Sequence, residues 1–103
     1  MSGELKLDAM WAAGMWSYVM PQHAPAAVLR EVDEELGRAI AKHPPMVNLH
    51  EAHSVIWEEL VEYFECVRQQ NEARDPAQIR HELVQVAAMA IRAIVDVVEK
   101  MGK

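Results

Sequence analysis

The sequence predicts an all-α fold, a four-helix bundle of up-down topology completed by oligomerisation. Three observations carry that prediction. Its 103 residues are 51% hydrophobic and 25% charged, with only four glycines, the composition of a globular rather than a disordered chain. Five prolines fall at three places, Pro21 with Pro25, Pro44 with Pro45, and Pro76. The intervals between them are rich in Ala, Leu, Glu and Met, which lose little freedom on entering a helix. No run alternates polar and apolar residues over the length of a strand, and no Asn-Gly pair signals a hairpin. The breaks place helices over about 5–20, 26–43, 49–72 and 76–101.

In the first interval Trp11, Met15, Trp16, Tyr18 and Met20 make a helix apolar almost all round, which suits a core or subunit interface better than base stacking. In the second, Leu29, Val32, Leu36, Ala39 and Ile40 form one stripe at ~100° per residue. Glu31, Glu34 and Glu35 fall outside that stripe, and Glu34 stands four residues before Arg38, the favourable order for an ion pair. That face is read as solvated. Asn48 followed by Glu51, and Asp75-Pro76 followed by Gln78, resemble capping boxes that open the third and fourth helices. Ala52, Ile56, Leu60, Tyr63 and Val67 make the stripe of the third helix. On the fourth, Val84, Val86 to Met89, Ile91, Ala93 to Val95, Val97 and Val98 cover most of the circumference. Short connections imply antiparallel neighbours in one domain over residues 1–103, with 1–24 an additional N-terminal helix on a core of 26–101. Two helices too apolar for a lone bundle predict a homodimer or homotetramer.

Sixteen acidic residues oppose ten basic ones, a formal net charge of −6. That balance disfavours a nucleic-acid polymer or an anionic membrane as partner, but not a small polyanion held through a metal ion. The one cysteine, Cys66, excludes an intrachain disulfide and a Cys-based zinc site and reads as a packing residue. The opening residues lack an apolar signal core. The most apolar stretch, Leu83 to Val98, is interrupted by Gln85, Arg92 and Asp96 and is shorter than the ~20 residues of a membrane span. A soluble, cytoplasmic chain is expected. His50 and His53 are three apart, where a zinc-protease helix needs four, and they read as helix-start or pocket-rim residues.

The third helix holds the carboxylates that differ from a solvated face. Relative to Ile56, Glu59 lies ~60° away and Glu62 ~120°, whereas Glu58 and Glu65 point almost opposite. Glu59 thus sits on the shoulder of the buried stripe with Glu62 on the same flank. Two such carboxylates repel each other and lose hydration, which a cation between them relieves. Hard oxygen donors suit Mg²⁺, with Mn²⁺ as a substitute. The plain alternative is an acidic helix face in water. On the fourth helix Glu82, Gln85, Arg92, Asp96 and Glu99 fall within one ~100° strip. Water could cover that strip, or it could line a pocket with Glu82 as the third ligand.

Glu58-Glu59-Leu60-Val61-Glu62, followed after nineteen residues by Glu82-Leu83-Val84-Gln85, resembles the MazG-like all-α nucleoside triphosphate pyrophosphohydrolases. Their pattern is Glu-Glu-x-x-Glu, a spacer, then Glu-x-x-Asp on the next helix. The lead-in from Leu49 to Val55 and the run from Glu82 to Ala90 are similar to a small bacterial and phage-type subgroup, and the likeness spans about Val28 to Val98. The resemblance implies house-cleaning hydrolysis of a nucleoside or deoxynucleoside triphosphate to the monophosphate and pyrophosphate. Glu59, Glu62 and Glu82 would bind Mg²⁺, and Glu58 would position a ligand or water. Gln85 stands where the motif has Asp; its amide oxygen can ligate but brings no negative charge and accepts protons poorly. Asp96 lies ~16 Å further along the helix and cannot replace it. The alternative is a catalytically weak or inactive nucleotide-binding or protein-interaction module on the same scaffold. Trp57 is the aromatic candidate for a nucleotide pocket, against a packing role. Lys42, Arg80 and Arg92 are the candidate phosphate contacts.

Overall fold

Pro25 opens the first described helix, its carbonyl accepting the Val28 and Leu29 amides at 3.1 and 3.2 Å. The computed structural model describes residues 23–102, so the helix expected over 5–20, with Trp11, Met15, Trp16, Tyr18 and Met20, lies outside the described residues. The described chain is all-helical: α1 (Ala26–Lys42), α2 (Leu49–Val67) and α3 (Pro76–Asp96), with single 3₁₀ turns at Asn71–Ala73 and Val98–Lys100. The chain divides into two compact units, Met1–Arg30 and Glu31–Lys103, and every site residue below belongs to the second. Among the described residues no helix is long and apolar enough to cross a membrane.

Local chemistry sets each boundary. Pro44 stops α1, since it lacks an N–H and restricts the residue before it. Asn48 caps α2 by accepting the Glu51 amide at 2.8 Å, and Glu51 reaches back to the Val47 amide at 2.6 Å. That is the expected reciprocal cap, displaced by one residue. Asp75 caps α3 through the Ala77 amide at 3.0 Å, but Gln78 does not complete a capping box. Its amide instead donates to Glu82 at 2.7 Å, because a buried carboxylate gains more from a donor than an exposed helix start does.

α2 ends five residues before the predicted 72, with Arg68 as its C-cap. Polar Arg68 to Glu72 offer no apolar side chain to bury, while Arg74 donates to the Val67 carbonyl and, at 2.9 Å, to Asn71 Oδ1. α3 ends at Asp96 rather than near 101, and its tail tightens into i→i+3 bonds of 3.2 and 3.1 Å at Lys100 and Met101.

Glu31 of α1 pairs with Arg80 of α3 at 2.7 Å, and further along both helices the Ala39 carbonyl meets Arg92. These contacts run α1 and α3 in the same direction. α2 runs against them, since Glu59 lies beside Glu82 while the α2 start lies beside Asp96 and Val97. The core joins Val32, Ala39, Met46, Ala52, Val84, Ala88, Met89, Ala93 and Val97. Its alanines let the helix backbones approach closely.

Arg92 fastens this core. It is 4% exposed, and its Nε donates to Asp96 Oδ2 at 3.0 Å. Its Nη1 and Nη2 atoms donate to the carbonyls of Ala39, His43 and Pro44 at 3.0, 2.7 and 2.9 Å. Asp96 Oδ2 also accepts the Met46 amide at 3.0 Å. One side chain of α3 thus serves the carbonyls of His43 and Pro44 just past the end of α1 and adds a second donor to the Ala39 carbonyl, which also accepts the His43 amide at 3.0 Å.

α3 buries charged residues beside its apolar core face of Val84, Ala88, Met89 and Ala93. Glu82 and Arg92 of its polar strip are buried, whereas Leu83, Ile91, Ile94 and Val95 are exposed. On α2, Trp57, Leu60, Val61 and Phe64 form an exposed stripe, so Leu60 does not join the buried face predicted for it. Ile40 of α1 is likewise outside the core, at 58% exposed.

Candidate functional site

α2 and α3 bring three acids together across their interface. One oxygen each from Glu59, Glu62 and Glu82 lies within 4.8 Å of the others. Glu82 is 6% exposed; its Oε1 accepts Gln78 Nε2, and its Oε2 has no hydrogen-bond partner among the described residues. Glu59 Oε2 is buried and unpartnered in the same way. An ionised oxygen in that state loses its hydration with nothing in return.

The electrostatics follow. Burial, then the charges of Glu62, Glu82, Glu35 and Glu58, push the Glu59 carboxyl above its ordinary range. Glu62, exposed at the cluster's edge, is raised by partial loss of hydration, then by the close approach and charge of the Glu82 carboxylate, against a lowering effect of His81. The cluster can take up protons or hold a cation. The donors are all hard oxygens, and opposite ligands of a Mg²⁺ ion stand about 4.2 Å apart, twice the ~2.1 Å bond. Neighbouring ligands of such an ion stand about 3.0 Å apart, so the three oxygens, within 4.8 Å of one another, would have to close slightly to share it; their donor chemistry fits.

Beside Glu59 opens a cleft of about 620 Å³, a size in the range of small-molecule sites. α1 contributes Glu35, Arg38, Ala39 and Lys42; α2 contributes Val55, Glu58 and Glu59; α3 contributes His81, Gln85 and Met89. One end is acidic. Towards the α1 C-terminus the wall mixes apolar Ala39, Met46, Val55 and Met89 with Lys42, Glu51 and Arg92.

The predicted residues divide accordingly. Glu58, Glu59, Gln85 and Lys42 line the cleft, and Glu62 and Glu82 complete the carboxylate cluster. Arg92 borders the cleft, and Asp96 and three carbonyls take up its guanidinium. Arg80 is spent on Glu31 outside the cleft. Trp57 is 58% exposed and stacks on His53 with ring centroids 6.3 Å apart. The two rings line a separate shallow hollow with Ser54 and Glu58.

The helical wheel places Glu35 on the solvated face of α1, yet it lines the cleft with its side chain 14% exposed. Arg38 pairs with Glu35 at 2.9 Å rather than with Glu34. The signal was present in the sequence: Glu35 lies ~60° from Val32 on the helical wheel, but counting Ile40 into the stripe drew the buried face away from it.

No protein-family model matches the chain, and no curated protein or solved structure matches it. The resemblance to the pyrophosphohydrolases therefore rests on the quoted motif residues alone.

Proposed function

We propose that the chain is a divalent-cation-dependent hydrolase that converts a nucleoside or deoxynucleoside triphosphate to the monophosphate and pyrophosphate. The observation that carries this reading is the pair of buried, unpartnered oxygens on Glu59 and Glu82, of which Glu59 also lines a nucleotide-sized cleft. Glu59, Glu62 and Glu82 hold the cation, with Mg²⁺ the first choice and Mn²⁺ a substitute. When bound, the cation offsets charge on the phosphate oxygens and reconciles a polyanion with a chain of net charge −6. Glu58, exposed at the cleft wall, orients the attacking water. The Gln85 amide oxygen adds a neutral donor, and Lys42 attracts the phosphates. The apolar wall of Val55 and Met89 shields the nucleoside end from water.

A second reading, a weak or inactive nucleotide-binding or protein-interaction module, is favoured by Gln85 alone, because an amide cannot replace the charge or basicity of an acid. The exposed stripes of α2 and α3 support a homodimer or homotetramer, and the acidic charge balance supports a cytoplasmic protein that binds neither nucleic-acid polymers nor membranes. Incubating the purified chain with a panel of dNTPs and NTPs in Mg²⁺ or Mn²⁺ tests the activity. Pyrophosphate release that Glu59→Gln lowers by at least ~100-fold is expected, on the scale of a lost transition-state electrostatic contact. Release from no nucleotide, with Glu59→Gln indistinguishable from wild type, would sink the enzyme reading. Calorimetric nucleotide binding without turnover would favour the second.

A further inference from the structure

We propose that Glu35, on α1, is the fourth carboxylate of the cation site and stands in for the acid that position 85 lacks. This rests on the cation-site reading above and adds a ligand from a helix outside the two-helix motif. Glu35 and Gln85 line the same cleft, together with Glu58 and Glu59. The Glu35 side chain is 14% exposed, low for a carboxylate in a wall that already holds Glu51, Glu58 and Glu59. Arg38 donates to it from Nε at 3.1 Å and from Nη2 at 2.9 Å, and both bonds end on Oε1. The carboxylate is thereby held through one oxygen, and Oε2 is left to ligate.

Arg38 does not neutralise the cluster, because its side chain is 58% exposed and solvent screens such a pair. Independently of Glu35, the cluster asks for a cation through Glu82, 6% exposed with an unpartnered Oε2. A hard divalent ion bound by Glu59, Glu62 and Glu82 has coordination positions to spare, and Glu35 is the carboxylate of α1 that shares the Glu59 cleft. Ligation through Glu35 would tie α1 to α2 and α3, so cation binding would also order the cleft wall that carries Lys42.

The test is Mn²⁺ titration of the full chain, with free Mn²⁺ read by electron paramagnetic resonance. Glu35→Gln is expected to weaken Mn²⁺ binding on the order of tenfold or more, as loss of one close charge contact does. Adding Gln85→Asp to that variant is expected to restore affinity to within about threefold of wild type. Gln85→Asp alone is expected to improve binding by less than about threefold, since the fourth carboxylate is already supplied; this single variant keeps the test sound even where Glu35→Gln fails to fold. A gain of tenfold or more from Gln85→Asp alone would overturn the proposal. So would wild-type Mn²⁺ affinity in Glu35→Gln when Glu59→Gln binds none, an outcome that leaves the three-carboxylate site standing. Absence of Mn²⁺ binding by wild type would remove both.

Discussion

Glu59 of α2 and Glu82 of α3 each bury an Oε2 oxygen that no described residue bonds, and their carboxylates share a cluster only 4.8 Å across. The metal-free fold therefore carries repulsion at its main helix interface. Glu82→Gln removes a charge without changing shape and keeps an acceptor for Gln78. It should stabilise the metal-free protein by about 1 kcal/mol, roughly 5 °C in Tm. The same variant should lose the Tm increase that Mg²⁺ produces in wild type, and calorimetry with EDTA or Mg²⁺ reads both.

The pH dependence should split by site. Glu59 and Glu62 are raised in the fold above the ordinary 4.5, so their contribution is complete below that value and is lost as pH rises through the raised values. Asp96 is lowered from 3.8, first by the Met46 amide and then by Arg92. Its contribution is present above 3.8 and is lost as pH falls through the depressed value. Urea midpoints in EDTA should thus decline from mildly acid to neutral pH. Saturating Mg²⁺ should flatten that decline, because the ion binds the ionised carboxylates and releases their protons.

Arg92→Leu should destabilise the chain by about 3–5 kcal/mol, since it removes the cation paired with half-buried Asp96, whose Oδ2 keeps only the Met46 amide, and takes the Arg92 donors from the Ala39, His43 and Pro44 carbonyls. Arg92→Lys should recover less than half, as one ammonium cannot reproduce the guanidinium fork. Urea unfolding followed by circular dichroism measures both.

Nucleotide kinetics should separate Lys42 from the two predicted contacts that lie elsewhere. Lys42→Ala should raise KM on the order of tenfold with a smaller effect on kcat, the pattern of lost ground-state binding. Arg80→Ala and Trp57→Ala should leave KM within about twofold. A large KM increase for Trp57→Ala would place the base over the α2 surface instead of in the cleft.

The exposed Trp57, Leu60, Val61 and Phe64 stripe should be covered in solution. Light scattering should give a mass at least twice the 11.7 kDa of the chain, and Leu60→Lys with Phe64→Lys should lower it. A stable wild-type monomer at micromolar concentration would refute the oligomer.

Much of the helix plan was legible because its signals are local. Pro44, Asn48 and Asp75 act on their own neighbours, so α2 and α3 begin where the caps predict. Glu59 and Glu62 were separable from Glu58 because angular position on one helix needs no partner. The end of α2 was misjudged: polar residues 68–72 permit a helix, and only Arg74 folding back on Val67 and Asn71 shows that it has stopped.

Relations between helices were harder to read. Periodicity ranks residues around one axis but does not say which side meets a neighbour, and an error of ~60° exchanges a solvated Glu35 for a cleft residue. The same ambiguity hid the burial of Glu82 and Arg92 on α3, since a polar strip reads alike whether it faces water or an interior of carbonyls and carboxylates. The sequence by itself determined the helical class, the helix starts and the acidic motif, through caps, prolines and spacing within single segments. Only the tertiary structure decided that Arg92 is a fastening, that Glu35 joins the cleft, and that Glu59 and Glu82 strand their oxygens together. Burial and charge coupling belong to distances between helices, and helix rotation sets those distances.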